Sequence, residues 1–182
     1  MRRLQTQLAG LVLIDPDVYG DERGFFAETY RRDSWAQAGV DVDFVQDNHS
    51  RSRRGTLRGM HFQTVPGQAK LVRCARGEIL DVAVDLRRDS PTFGRCEAVS
   101  LDDREMHQLF VPVGFAHGFC VLSEWADVTY KCSSYYVAET ERTLAYDDPE
   151  LAISWPREIE LIVSARDTGA PRLAEIKDEL AF

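Results

Sequence analysis

Apolar and polar positions alternate over short stretches, and these stretches recur at close intervals with turn residues between them, the mark of successive β-strands. The pattern predicts strands over residues 11–14, 25–30, 42–46, 56–62, 70–74, 78–85, 95–99, 106–111, 117–122, 128–132 and 143–146. The clearest is 78–85, where Leu80, Val82 and Val84 share one face while Ile79, Asp81, Ala83 and Asp85 share the other. Apolar residues on both faces place that strand inside a sandwich. One short helix is predicted over 34–38, with Asp33 as its N-cap and Gly39 as its stop. No helix-alternating rhythm interrupts the strands, so the chain is predicted to be all-β, a sandwich or small barrel. A looser segment around 156–171 packs back over it.

Several polar residues interrupt these runs. Arg58 and His61 lie in Thr56-Leu57-Arg58-Gly59-Met60-His61-Phe62-Gln63. Their opposite parity puts them on opposite faces of a regular strand, unless a bulge at Gly59 turns both into one cavity. His117 follows a tight Pro112-Val113-Gly114 turn, where a metal ligand, a ligand contact and a structural hydrogen bond all fit. A His-x-His metal pair fails at Gln63, a poor ligand for most such metals, so metal catalysis is disfavoured. Taken singly, Lys70 reads as a surface lysine, Tyr130 as a strand aromatic and Asp167 as a turn aspartate. Asp47-Asn48-His49-Ser50 reads as a polar cluster compatible with an Asx-rich turn.

Composition narrows the classes. The chain has 182 residues, which at the prior of roughly 150 residues per domain fits a single domain. Its 22 basic and 30 acidic residues give a net charge of −8, against binding to a nucleic-acid polymer or an anionic membrane. The longest early apolar run is closed by Asp15-Pro16, too short to span a bilayer, and a cytoplasmic location is expected. Cys74, Cys96, Cys120 and Cys132 lack zinc spacing and read as buried thiols.

Together the motifs resemble the dTDP-4-dehydrorhamnose 3,5-epimerase family. The resemblance rests on Gly20-Asp21-Glu22-Arg23-Gly24-Phe25-Phe26-Ala27-Glu28, Phe44-Val45-Gln46-Asp47-Asn48-His49-Ser50, Leu57-Arg58-Gly59-Met60-His61-Phe62 and Gln68-Ala69-Lys70-Leu71-Val72-Arg73. It continues through Ser90-Pro91-Thr92-Phe93-Gly94, Gly114-Phe115-Ala116-His117-Gly118-Phe119, Thr129-Tyr130-Lys131, Ser154-Trp155-Pro156 and Ser164-Ala165-Arg166-Asp167. It implies a cupin-like jelly roll with short peripheral helices, as one domain over 1–182: a core of about 8–150 and a C-terminal segment, 151–182, packed onto it. It also implies a homodimer whose N-terminal strand joins the partner's sheet, a dTDP-4-keto-6-deoxyhexose substrate, and no metal or other cofactor.

By the same resemblance His61 is the general base, Asp167 the acid that holds its imidazole, Tyr130 the proton donor and Lys70 the group beside the C4 carbonyl. Arg23, Glu28, Gln46, Asp47, Asn48, Arg58, His117, Glu141 and Arg166 match nucleotide-sugar contacts, with Arg23 and Glu28 serving the neighbouring subunit. Met60 stands where leucine is common, and Arg166 where lysine often stands. A C3-only or C5-only epimerase, a metal-dependent cupin and a non-catalytic nucleotide-sugar-binding dimer are the competing readings.

Overall fold

A computed structural model describes all 182 residues. Fourteen strands form two packed antiparallel sheets and a detached hairpin. In chain order they are β1 (Arg2–Leu4), β2 (Val12–Asp15), β3 (Val18–Asp21), β4 (Gly24–Ala27), β5 (Gln46–Arg53), β6 (Thr56–Gln63) and β7 (Lys70–Arg76). After them come β8 (Glu78–Asp85), β9 (Cys96–Asp102), β10 (Gln108–Val111), β11 (Phe115–Val121), β12 (Trp125–Cys132), β13 (Glu141–Thr143) and β14 (Ile162–Val163). The six-stranded sheet runs β1-β2-β10-β7-β12-β5, and the five-stranded sheet runs β13-β6-β11-β8-β9, with β14 added parallel to β6. The two sheets make a cupin-like jelly-roll sandwich.

Three apolar layers hold it together. Between the sheets, Val72, Leu109 and Val128 of one meet Ile79, Ala83 and Phe119 of the other. Outside the five-stranded sheet, Met60, Phe62, Val82 and Val84 are covered by Leu151, Leu173 and Leu180 of the C-terminal segment. That second cover is why β8 is apolar on both faces. Outside the six-stranded sheet, Val12, Ile14, Leu71 and Phe110 lie under Trp35 of helix α1 (Arg32–Gln37).

The predicted strands mostly coincide with observed ones, with three corrections. The helix begins two residues early: Arg31 is its N-cap without a side-chain bond, and Asp33 lies in the first turn, where its charge still suits the helix dipole. Gly39, at φ +98°, ends it as expected. Residues 42–45 form no strand; Val42 and Phe44 instead pack as coil against the α1 cluster, and β5 starts where the predicted strand ended. The pairing predicted for 143–146 falls earlier, at β13. β3 and β4 pair only with each other and carry exposed Tyr19, Phe25 and Phe26. The four cysteines are free. No helix is long and apolar enough to cross a membrane.

Candidate active site

The site is built where β6 departs from regular pairing. His117 of β11 faces His61, while Phe119 faces Arg58, so two steps along β11 span three along β6. The extra residue is the bulge that reverses parity after Gly59 and turns both Arg58 and His61 to one cavity. Only glycine fits there: a Cβ on Gly59, already at φ +136°, would lie 2.5 Å from the Gly118 Cα. The reciprocal Cβ on Gly118 would lie 2.7 Å from the Met60 sulfur.

The cavity, of about 310 Å³, opens between the sheets and is lined by Ser50, Arg58, His61, Lys70, His117, Phe119, Tyr130, Ser164, Arg166 and Asp167. His61 and His117 come from the five-stranded sheet; Lys70 and Tyr130 come from the six-stranded one. A group held between them meets an imidazole on one side and a phenol and an amine on the other.

Asp167 reaches His61 from 106 residues further along the chain. β14 lies parallel to β6, Ser164 caps the short helix α2 (Ala165–Thr168) by accepting from the Asp167 N–H at 3.1 Å, and the carboxylate so fixed sits in the first turn. Its Oδ1 is 2.7 Å from His61 Nε2, and Asp167 is only 4% exposed. With Nε2 engaged by the carboxylate, Nδ1 is the nitrogen left to accept a proton. Burial pulls the His61 pKa below its ordinary value, and the Asp167 carboxylate only partly offsets that. The imidazole is therefore neutral at pH 7 and able to act as a base.

Across the cavity, burial foremost pushes the Tyr130 pKa up, helped by Cys132 and Glu141, so its hydroxyl keeps its proton. Burial also pulls the Lys70 ammonium down, opposed by the fields of Cys132, Glu141 and Asp81. Lys70 projects toward the cavity with no carboxylate bound to it. An anionic oxygen arriving there would favour the charged form of the amine, with no carboxylate already paired to it.

His117 forms a second imidazole–carboxylate pair, Nε2 lying 2.9 Å from Asp81 Oδ2, with Asp81 fully buried. Arg58 donates to Ser52 Oγ at 3.0 Å. Arg166 pairs with Glu141 at 2.6 Å, and Glu141 also accepts from the Tyr136 hydroxyl at 3.0 Å. Gln46 accepts from the Tyr136 backbone N–H and donates to Asn48.

The structure thus brings His61, Asp167, Tyr130, Lys70, Arg58, His117 and Arg166 to one cavity, with Glu141 at its edge and Gln46 and Asn48 on the inward face of β5. It does not bring Asp47 there. Alternation along β5 sends Asp47 to the outer face, where it binds Lys131 at 2.9 Å and lines a separate polar hollow with Arg73 and His49. Arg23 and Glu28 also lie outside this chain's cavity, Arg23 on the exposed hairpin and bonded to its own Asp21.

Sequence reading missed three contributors. Asp81 showed itself only as a charge inside an apolar strand. Gln63, buried beside His61, accepts from Val137 N–H and Thr140 Oγ1 and so anchors the loop that carries Tyr135 and Tyr136. Ser50 lay in a stretch read as a turn. No cluster of three or more His, Cys, Asp or Glu side chains is placed to hold a metal ion.

Fold and cavity together define a jelly-roll protein that sets acid–base side chains from two facing sheets around one cavity. Comparison with known proteins makes this specific: the family model described as dTDP-4-dehydrorhamnose 3,5-epimerase matches residues 5–175, and the chain belongs to that family. It is 47% identical over 176 residues to the dTDP-4-dehydrorhamnose 3,5-epimerase of Methanothermobacter thermautotrophicus, covering 96% of this chain and 95% of that one. Its fold matches the dTDP-6-deoxy-D-glucose-3,5-epimerase of Legionella pneumophila, solved with dTDP-4-keto-L-rhamnose, at a TM-score of 0.95 and 46% identity, covering 98% of this chain and 95% of that one. It also matches a 3'-monoepimerase of Streptomyces bikiniensis, solved with dTDP-quinovose, at a TM-score of 0.91 and 39% identity, covering 96% and 89%.

Proposed function

We propose that the protein epimerises dTDP-4-dehydro-6-deoxy-D-glucose at C3 and C5 to give dTDP-4-dehydro-L-rhamnose, using acid–base chemistry alone. The observation that carries the reading is half-buried His61 bound to buried Asp167, facing Tyr130 and Lys70 across one cavity in a chain nearly half identical to a 3,5-epimerase.

C3 and C5 both flank the C4 ketone, so loss of a proton from either leaves an enolate with its charge on the same oxygen. His61 Nδ1 takes the proton, and Asp167 supports the imidazolium that forms. The Lys70 ammonium stabilises the enolate oxygen. Tyr130, on the other wall, returns a proton to the opposite face of the carbon and leaves as phenolate. Exchange with water resets both side chains, and the same constellation then serves the second carbon. Arg58, His117 and Arg166 supply cationic or hydrogen-bonding groups to the diphosphate and nucleoside, which accommodates an anionic ligand in an acidic protein.

The protein acts as a homodimer in this reading. The hairpin of β3 and β4 exposes Phe25 at 63% and Phe26 at 70% and has no third strand in its own chain. It is suited to lie against a second copy, with Arg23 and Glu28 serving the neighbouring subunit's site.

Incubation with dTDP-4-dehydro-6-deoxy-D-glucose in D2O, followed by NMR of the sugar, tests the assignment. Deuterium at both C3 and C5 is expected. Deuterium at one position only makes the protein a monoepimerase, as the Streptomyces bikiniensis structural relative is, and no deuterium with retained nucleotide binding makes it a binding protein.

A further inference from the structure

The inward face of β5 carries four polar side chains, Gln46, Asn48, Ser50 and Ser52. Three have protein partners: Gln46 bonds Asn48 at 3.1 Å, Asn48 donates to Cys132 Sγ at 3.4 Å, and Ser52 accepts from Arg58 at 3.0 Å. Ser50 is different. Its hydroxyl oxygen is buried and makes no hydrogen bond within the protein, yet the residue lines the catalytic cavity. A buried hydroxyl without a partner costs folding free energy, and such groups are rare in folded proteins unless a site needs them.

We infer that Ser50 is a substrate-orienting residue whose hydroxyl engages a neutral oxygen of the hexose ring and sets how that ring faces Tyr130. The inference rests on the epimerase reading above. Two features select the sugar over the diphosphate. Ser50 lies opposite Val128 in the β5–β12 pair, one diagonal step from Tyr130 on the same inward face, so what it can reach is what Tyr130 can protonate. Anionic oxygens, by contrast, are drawn to the guanidinium groups of Arg58 and Arg166, where the hydrogen bonds are charge-assisted. A serine hydroxyl both donates and accepts, which suits a sugar hydroxyl or ring oxygen.

Contact on this wall bears directly on which carbon is reprotonated. A ring held by Ser50 presents C3 and C5 to Tyr130 in a fixed relation, and small misplacement costs rate steeply.

Ser50→Ala and Ser50→Thr decide the matter. The alanine variant is expected to lose about tenfold in kcat/KM, the size of one well-placed hydrogen bond, and to change the ratio of deuterium entering C3 and C5. Its affinity for dTDP alone should stay within twofold, and its Tm should not fall, because the hydroxyl removed has no partner in the fold. Ser50→Thr, which keeps the hydroxyl, should recover most of the rate. The role is overturned if Ser50→Ala turns over within twofold of wild type, if dTDP affinity falls in step with kcat/KM, or if Tm drops by several degrees. Wild-type protein that incorporates no deuterium sinks the epimerase reading itself, and this role with it, a result separate from any Ser50-specific outcome.

Discussion

In the mechanism proposed above His61 serves as the base because two opposing influences leave it neutral but supported: burial disfavours the charged form, and Asp167 stands ready for it once a proton arrives. The sign of the pH dependence follows. The imidazole titrates below its ordinary 6.5, so kcat/KM is expected to fall on the acid side with an apparent pKa under 6.5. On the basic side burial pulls the Lys70 ammonium below its ordinary range and pushes the Tyr130 phenol above its own, and the basic limb is assigned to Lys70. A bell-shaped profile is expected, with its basic limb removed in Lys70→Gln at a much lower maximal rate. A basic limb unchanged in that variant would transfer the role to another group. These residues were legible in the sequence as a set of family motifs, and the resemblance implied the pairing of His61 with Asp167; nothing local to His61 announces it, because Asp167 reads in isolation as a turn aspartate.

The β6–β11 pair shows what periodicity can and cannot reveal. Alternation alone separated Arg58 from His61, and the glycine between them was the one visible hint that the strand bends. Its counterpart Gly118 has no such signature, yet a Cβ there meets Arg58 O at 2.8 Å as well as the Met60 sulfur. Gly118→Ala is therefore expected to cost about 1–3 kcal/mol, read as a lower urea midpoint at unchanged m, and to impair turnover by moving His61. β5 was misread for a plainer reason. Strand patterns are recognised by apolar residues at every second position, and β5 puts polar groups on both faces because its inner face is a cavity wall. β8, buried on both sides, was by contrast read correctly. The turn after β8 is held by Asp85, fully buried. Burial alone would raise its pKa, but hydrogen bonds from Arg87, Ser90 and Thr92 hold it at about 2. A carboxyl depressed from an unfolded value of about 3.9 stabilises the fold above that pH and ceases to as pH falls through about 2. Asp85→Asn should cost about 1–3 kcal/mol at pH 7, and the deficit should shrink toward pH 2 in parallel urea titrations.

Across the molecule, the two sheets divide the chemistry: one carries the imidazoles, the other the phenol and the amine. The architecture was predictable from strand spacing and the absence of helical repeats; the hairpin's detachment was not, because a two-stranded ribbon reads like any other pair of strands. Two exposed phenylalanines on such a ribbon need a surface to cover them. Phe25→Ser combined with Phe26→Ser is expected to shift the protein from dimer to monomer in sedimentation velocity. In the dimer proposed above turnover should fall with it, because Arg23 and Glu28 are the residues that the hairpin lends to the neighbouring cavity in that reading. A dimer that persists with full activity would remove the hairpin from that role.

The distance along the chain between His61 and Asp167 also sets an order in time. At synthesis rates of about 5–20 residues per second, the 106 residues that separate them take roughly 5–20 seconds to make. Through that interval a growing chain already contains the imidazole, the amine and, later, the phenol, but not the carboxylate that supports the base. Because β14 and α2 must dock on β6 to deliver it, the proposed mechanism makes the supported base the last part of the site to be assembled, and a chain interrupted before Asp167 is made lacks that support.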